Sequence, residues 1–119
     1  MEYKYFKTEE FDSPDLPGSG QLMQEEFMYK LDKAREIAGI GFRINSGMRT
    51  VSHNRKAGGK SKSAHLTGYA ADIAVNGSRS RYIILEALIS AGFNRIGIAN
   101  SFIHVDCHPD LDEDVVWTY

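Results

Sequence analysis

Ser63-Ala64-His65-Leu66-Thr67-Gly68-Tyr69-Ala70-Ala71-Asp72-Ile73-Ala74-Val75 is the most informative stretch of this chain. Residues 69–75 form an apolar run of strand length between Gly68 and the Asn76-Gly77 break, and read as a buried strand. Asp72 interrupts that run. An ionised carboxylate taken out of water without compensation is expensive, so Asp72 needs a partner: a metal ion, an arginine, or a set of backbone N–H groups. His65 lies shortly upstream. His104 repeats the pattern in Phe102-Ile103-His104-Val105-Asp106, again a polar group set in an apolar strand. Two histidines and one carboxylate are the protein ligand set of a catalytic zinc with a fourth position open for water. A strand histidine taken alone is more often a hydrogen-bonded core or surface residue.

Working outward, Phe27, Leu31, Ala34 and Ala38 recur at i, i+4, i+7 and i+11. That single apolar stripe predicts a helix over 22–38, ended by Gly39. A strand is expected at 42–45. Residues 46–63 are rich in Gly, Ser, Lys and Arg and read as one long exposed loop, and loops of that length are often functional. Ser78 or Ser80 is placed to cap a second helix over 81–91, closed by Gly92. Two apolar runs, 95–99 and 102–106, flank Asn100-Ser101 and predict an antiparallel hairpin. A last strand is expected at 115–119, at a sheet edge. Residues 1–20 read as an irregular lead-in pinned by Tyr3, Tyr5, Phe6 and Phe11. The order predicts an α+β fold, a small antiparallel sheet with two main helices packed on it, in one domain over 1–119.

With 119 residues, 42% hydrophobic and 25% charged, the chain can bury a real core without staples. Fourteen basic and 16 acidic residues leave a net charge of −2, no electrostatic footprint for nucleic acid or an anionic membrane. The single cysteine, Cys107, excludes an intrachain disulfide. No apolar run approaches the roughly 20 residues that span a bilayer. The first residues carry Glu2, Glu9 and Glu10 and lack an apolar core, so they do not read as a secretory leader. The expectation is a chain made in the cytoplasm, with a monomer as the expected state.

The motifs are more specific than their histidines. Ser63, His65, Gly68, Ala70 and Asp72 fall on a Ser-x-His-x-x-Gly-x-Ala-x-Asp signature. Upstream stands Ser46-Gly47-Met48-Arg49-Thr50, and downstream the His104 strand. In this order they resemble the M15 peptidases, the zinc D-Ala-D-Ala carboxypeptidase group that includes phage cell-wall endopeptidases. The resemblance implies one Zn2+ held by His65, Asp72 and His104, and a fold shared with hedgehog and lysostaphin-like metallopeptidases. It implies that Arg49 faces the metal and binds a substrate carboxylate or the developing oxyanion, a role suited to a permanently charged, forked donor. The implied substrate is peptidoglycan, cut in its stem peptides or cross-links by a carboxypeptidase or an endopeptidase. The small single-domain form resembles phage or prophage versions, which reach the wall after release or as part of a virion.

One departure stands out. Much of this family carries an acid three residues before the second histidine, or a histidine two before it. Ser101 and Phe102 occupy those positions here, and neither can act as a general base. Asp106 shares a strand face with His104 and is the nearest substitute. Its alternatives are a carboxylate that orients a ligand histidine and a solvated strand end. His53 is a second candidate for the base or a substrate contact, against a solvated loop histidine. Ser63 is either a hydrogen-bonding group near the site or a turn residue. Trp117 and Tyr119 either wall a peptide groove or pack in the core. Four basic residues, Arg55, Lys56, Lys60 and Lys62, lie on the loop beside the site, where they steer carboxylates or are simply solvated. The rival to a peptidase is a zinc-containing peptidoglycan-binding or structural domain that has lost its base.

Overall fold

The apolar stripe of the first helix is buried as its spacing requires. In the computed structural model, which describes residues 2–119, Phe27, Met28, Leu31 and Ala34 of α1 (Glu25–Ala38) are fully covered. Gly39 follows with φ 69°, the left-handed stop that glycine adopts freely. A short helix, α2, spans Val51–Lys56, and α3 spans Ser78–Ser90 and packs beside α1. Among the described residues five strands complete the fold: β1 (Ile44–Ser46), β2 (Ala70–Ala74), β3 (Arg95–Ile98), β4 (Phe102–Asp106) and β5 (Val115–Thr118). Their order in the sheet is β1-β2-β4-β3-β5.

Strand alternation gives this sheet two chemically distinct faces. Ala71, Ile73, Ile96, Ile103 and Val105 point into one core with the apolar residues of α1 and α3. The opposite face carries the polar residues. On it Ser46 pairs with Asp72, Asp72 with His104, His104 with Gly97, and Gly97 with Trp117. One row of partners therefore crosses all five strands.

The α+β class, the two main helices and the 95–106 hairpin are as the sequence predicts. The sheet is not wholly antiparallel: β5 runs parallel to β3. Both edges of β4 are already taken by β2 and β3, and the chain returning from β4 pairs with the free edge of β3, which runs the same way. The predicted 46–63 loop contains α2, too short to show a periodic apolar stripe. Thr50 starts it, its Oγ1 accepting from the His53 N–H at 3.1 Å. Helix α1 begins later than expected because Ser19–Leu22 forms a separate 3-10 turn. Helix α3 begins earlier, at Ser78, and Ser80 closes the preceding turn by accepting from the Asn76 N–H. The lead-in holds two 3-10 turns, with Phe6 and Phe11 buried in the core. Among the described residues no helix is long and apolar enough to cross a membrane.

Candidate metal centre

Pairing of β2 with β4 sets Asp72 directly across from His104, and their side chains meet: His104 Nδ1 lies 2.9 Å from Asp72 Oδ1. His65 comes from outside the sheet, on a 3-10 turn, Ala64–Thr67. Ser63 caps that turn by accepting the His65 N–H at 3.2 Å. Gly68 ends it with φ 80°, and a Cβ there would sit 2.6 Å from the Leu22 carbonyl oxygen. The turn thus aims His65 at the sheet, with Nε2 3.3 Å from Asp72 Oδ1.

The tautomer of His65 follows from its neighbour. Its Nδ1 is 2.8 Å from the Gly47 carbonyl oxygen, which can only accept, so Nδ1 carries a proton and Nε2 is the nitrogen turned toward Asp72. His104 is held at both ends, its Nε2 2.7 Å from Asp106 Oδ2. Asp106 in turn accepts from Arg95 Nε at 2.6 Å and is buried. Asp106 therefore stands behind His104, on the side of the ring away from Asp72, and is not a solvated strand end.

These contacts set the charges. Burial opposes ionisation of Asp72, but hydrogen bonds from His104 and His65 hold its carboxyl well below the usual carboxylate range. Burial likewise opposes the charged form of His104, and bonds to Asp106 and Asp72 overcome it and raise its pKa. Asp106 is lowered against burial by His104 and then Arg95. His65, Asp72 and His104 offer one ligand atom each, all within 4.8 Å of one another, and all three residues are buried. Two imidazole nitrogens and an ionised carboxylate so close together suit a divalent cation of borderline softness.

Arg49 closes the other side of Asp72. Its NH2 reaches Asp72 Oδ2 at 3.3 Å, its Nε donates to Ser46 Oγ at 2.9 Å and its NH1 to Asn54 Oδ1 at 3.2 Å. The trio and Arg49 line a cleft of about 840 Å³. Lys60, Lys62 and Ser63 form part of one wall, and Phe102, Trp117 and Tyr119 part of another. Trp117 is a cleft residue, its ring 5.6 Å from that of His104 and 5.2 Å from the Arg95 guanidinium. A Cβ at Gly97 would come within 2.5 Å of Trp117 Nε1, so the glycine lets the indole lean over the row. His53 lies on α2, away from the cleft lining. His108 packs on Tyr69 instead, and Cys107 packs against the core.

A family model described as Peptidase M15 matches residues 4–106. The chain belongs to the M15 peptidases. No curated protein matches it. Family membership and the buried His-Asp-His cluster make this chain a metallopeptidase.

Sequence reasoning missed three parts of this M15 site: the Gly47 carbonyl, Asn54 and Arg95. The last was within reach. A hairpin turning at Asn100-Ser101 sets Arg95 opposite Asp106, where opposite charges on one face attract. The Gly47 carbonyl carried no signal, because a backbone acceptor looks the same in every residue.

Proposed function

We propose that this M15 domain is a zinc-dependent peptidase that hydrolyses peptide bonds in bacterial peptidoglycan, in stem peptides or cross-links. The observation that carries the reading is the buried trio of His65, Asp72 and His104, with Arg49 bonded to the same carboxylate at the floor of an open cleft. Zinc would be held by His65 Nε2, the Asp72 carboxylate and His104 Nδ1, and when bound it lowers the pKa of a water and polarises a carbonyl. The Gly47 carbonyl holds a proton on His65 Nδ1 and Asp106 holds one on His104 Nε2, so each ring can give up the proton on its inward nitrogen to ligate while keeping the outward one. Arg49 presents fixed N–H donors to a substrate carboxylate or to the charge developing on the scissile oxygen. Lys60 and Lys62 extend that positive wall toward solvent, which suits the carboxylate-rich peptides of the wall.

A second reading is favoured by Asp106 itself. With both carboxylate oxygens bound, to His104 and to Arg95, it is engaged behind the ring, and Ser101 and Phe102 supply no acid. The alternative is a zinc-containing domain that binds peptidoglycan without cutting it. Incubation with purified peptidoglycan, with added zinc or with chelator, and mass analysis of the soluble fraction separates the two. A peptidase releases D-alanine or peptide fragments with zinc and none with chelator. Zinc-loaded protein that sediments with the wall and releases nothing leaves the binding domain.

A further inference from the structure

Asn54 is the only residue of α2 that is buried, and its side chain is bonded at both ends. Its Oδ1 accepts from Arg49 NH1 at 3.2 Å, and its Nδ2 donates to the Lys60 carbonyl at 2.9 Å. Its own backbone carbonyl accepts from the Gly59 N–H at 2.8 Å. Gly59 lies against this amide so closely that a Cβ there would be 2.0 Å from Asn54 Oδ1 and 3.0 Å from Arg49 NH1. One amide is thus wedged between the guanidinium that faces Asp72 and the loop that carries Lys60 and Lys62.

We propose that Asn54 is a positioning residue that locks the aim of Arg49 to the conformation of the basic 58–62 loop, so that arginine and loop meet substrate as one unit. The proposal rests on Arg49 facing substrate, as in the peptidase reading above. The residue type fits the task. A guanidinium swings about its Nε bond unless two of its edges are held. Ser46 holds Nε and Asn54 holds NH1, which leaves NH2 for the cleft. A carboxylate in place of this amide would neutralise Arg49 and could not donate to the Lys60 carbonyl. A neutral amide does both jobs without reducing the charge.

The test is a double-substitution cycle of Asn54→Ala and Gly59→Ala. The first readout is solvent exchange of the Arg49 NH1 protons by NMR on the metal-free protein, which needs no catalysis. Wild-type exchange is expected to be slow. Each single substitution is expected to speed it by about tenfold, the scale of one lost hydrogen bond. The effect of the double variant should fall short of the product of the two single effects, because a Cβ at 59 then meets only the edge of Arg49 and no amide. The second readout is kcat/KM on peptidoglycan fragments, expected to fall about tenfold in both single variants while zinc affinity stays as in wild type. Unchanged Arg49 exchange in a folded Asn54→Ala protein, or strictly additive effects in the cycle, overturns the proposal. If no variant, wild type included, cuts peptidoglycan but the exchange cycle behaves as expected, the peptidase reading fails and the lock between Asn54 and Arg49 stands. If Asn54→Ala does not fold, Gly59→Ala and Asn54→Asp decide. In the Asn54→Asp variant Arg49 exchange should stay slow while the loop is freed, seen as faster backbone amide exchange over 59–62; a loop as protected as in wild type overturns the proposal.

Discussion

Replacing Asp106 by asparagine separates an orienting carboxylate from a proton-transferring one. Asp106 takes one donor on each oxygen: His104 Nε2–H on Oδ2 at 2.7 Å and Arg95 Nε on Oδ1 at 2.6 Å. Asparagine keeps a single acceptor oxygen and turns an NH2 toward the other donor, so one of the two bonds is lost. Arg95 retains the Asp112 carbonyl and an edge toward solvent, so the fold loses about 1–3 kcal/mol rather than the larger amount for a stranded interior charge. Loss of the partner behind a ligand histidine weakens metal binding by about 10–100-fold, or about 1.4–2.7 kcal/mol. The assay is a competition titration against a chromogenic zinc chelator, paired with kcat at saturating zinc. The expected result is weaker zinc binding with kcat of the loaded enzyme within about tenfold of wild type. Unchanged zinc affinity together with a loss of kcat beyond about 100-fold at saturating zinc would refute the orienting role and make Asp106 the group that moves the proton.

The charge pattern of the metal-free site predicts a stability optimum on the acid side of neutrality. Asp72 and Asp106 have folded pKa values below their unfolded ones, so their contribution is present above about pH 4 and is lost as the pH falls through the folded values. His104 has a raised folded pKa, so its contribution is complete below about pH 6.5 and is lost as the pH rises through the folded value. Thermal melts of the zinc-free protein should therefore peak between about pH 4 and pH 6.5, and a melting temperature still climbing from about pH 6.5 to about pH 9 contradicts this. Gly68→Ala meets both a left-handed φ and the Leu22 carbonyl. The left-handed conformation alone costs an alanine about 1–2 kcal/mol, so the melting temperature should fall by about 5 °C or more. A melt indistinguishable from wild type would mean that the turn carrying His65 is softer than its geometry indicates.

The sequence made some of this legible and hid the rest for definable reasons. Apolar periodicity located α1, β2 and the 95–106 hairpin because each buries a regular stripe, and Asp72 stood out for breaking one of them. Asp106 on the His104 face followed from strand alternation alone. The turn under His65 was not visible, since four residues of 3-10 helix have no period to read; the clues were Ser63 before it and Gly68 after it. Helix α2 was hidden for the same reason, and Asn54 with it: a buried amide in a Lys- and Gly-rich segment resembles a solvated one until its partners are known. The parallel placement of β5 depends on which edges the other strands leave open, which is a property of the assembled sheet. The sequence alone allows Trp117 either core or groove, and Gly97, two strands away from Asp72 in the same row, decides for the groove by leaving room for the ring.

That placement of Trp117 has an optical consequence. It is the only tryptophan in the chain, and its ring stands 5.6 Å from His104 on the cleft wall. All indole emission from this protein thus originates at the rim of one site. A cobalt or copper ion substituted between the histidines, or a peptide laid against the ring, alters the whole of that signal rather than a fraction of it. The chain carries its own lamp, and the light falls on the place where occupancy is to be counted.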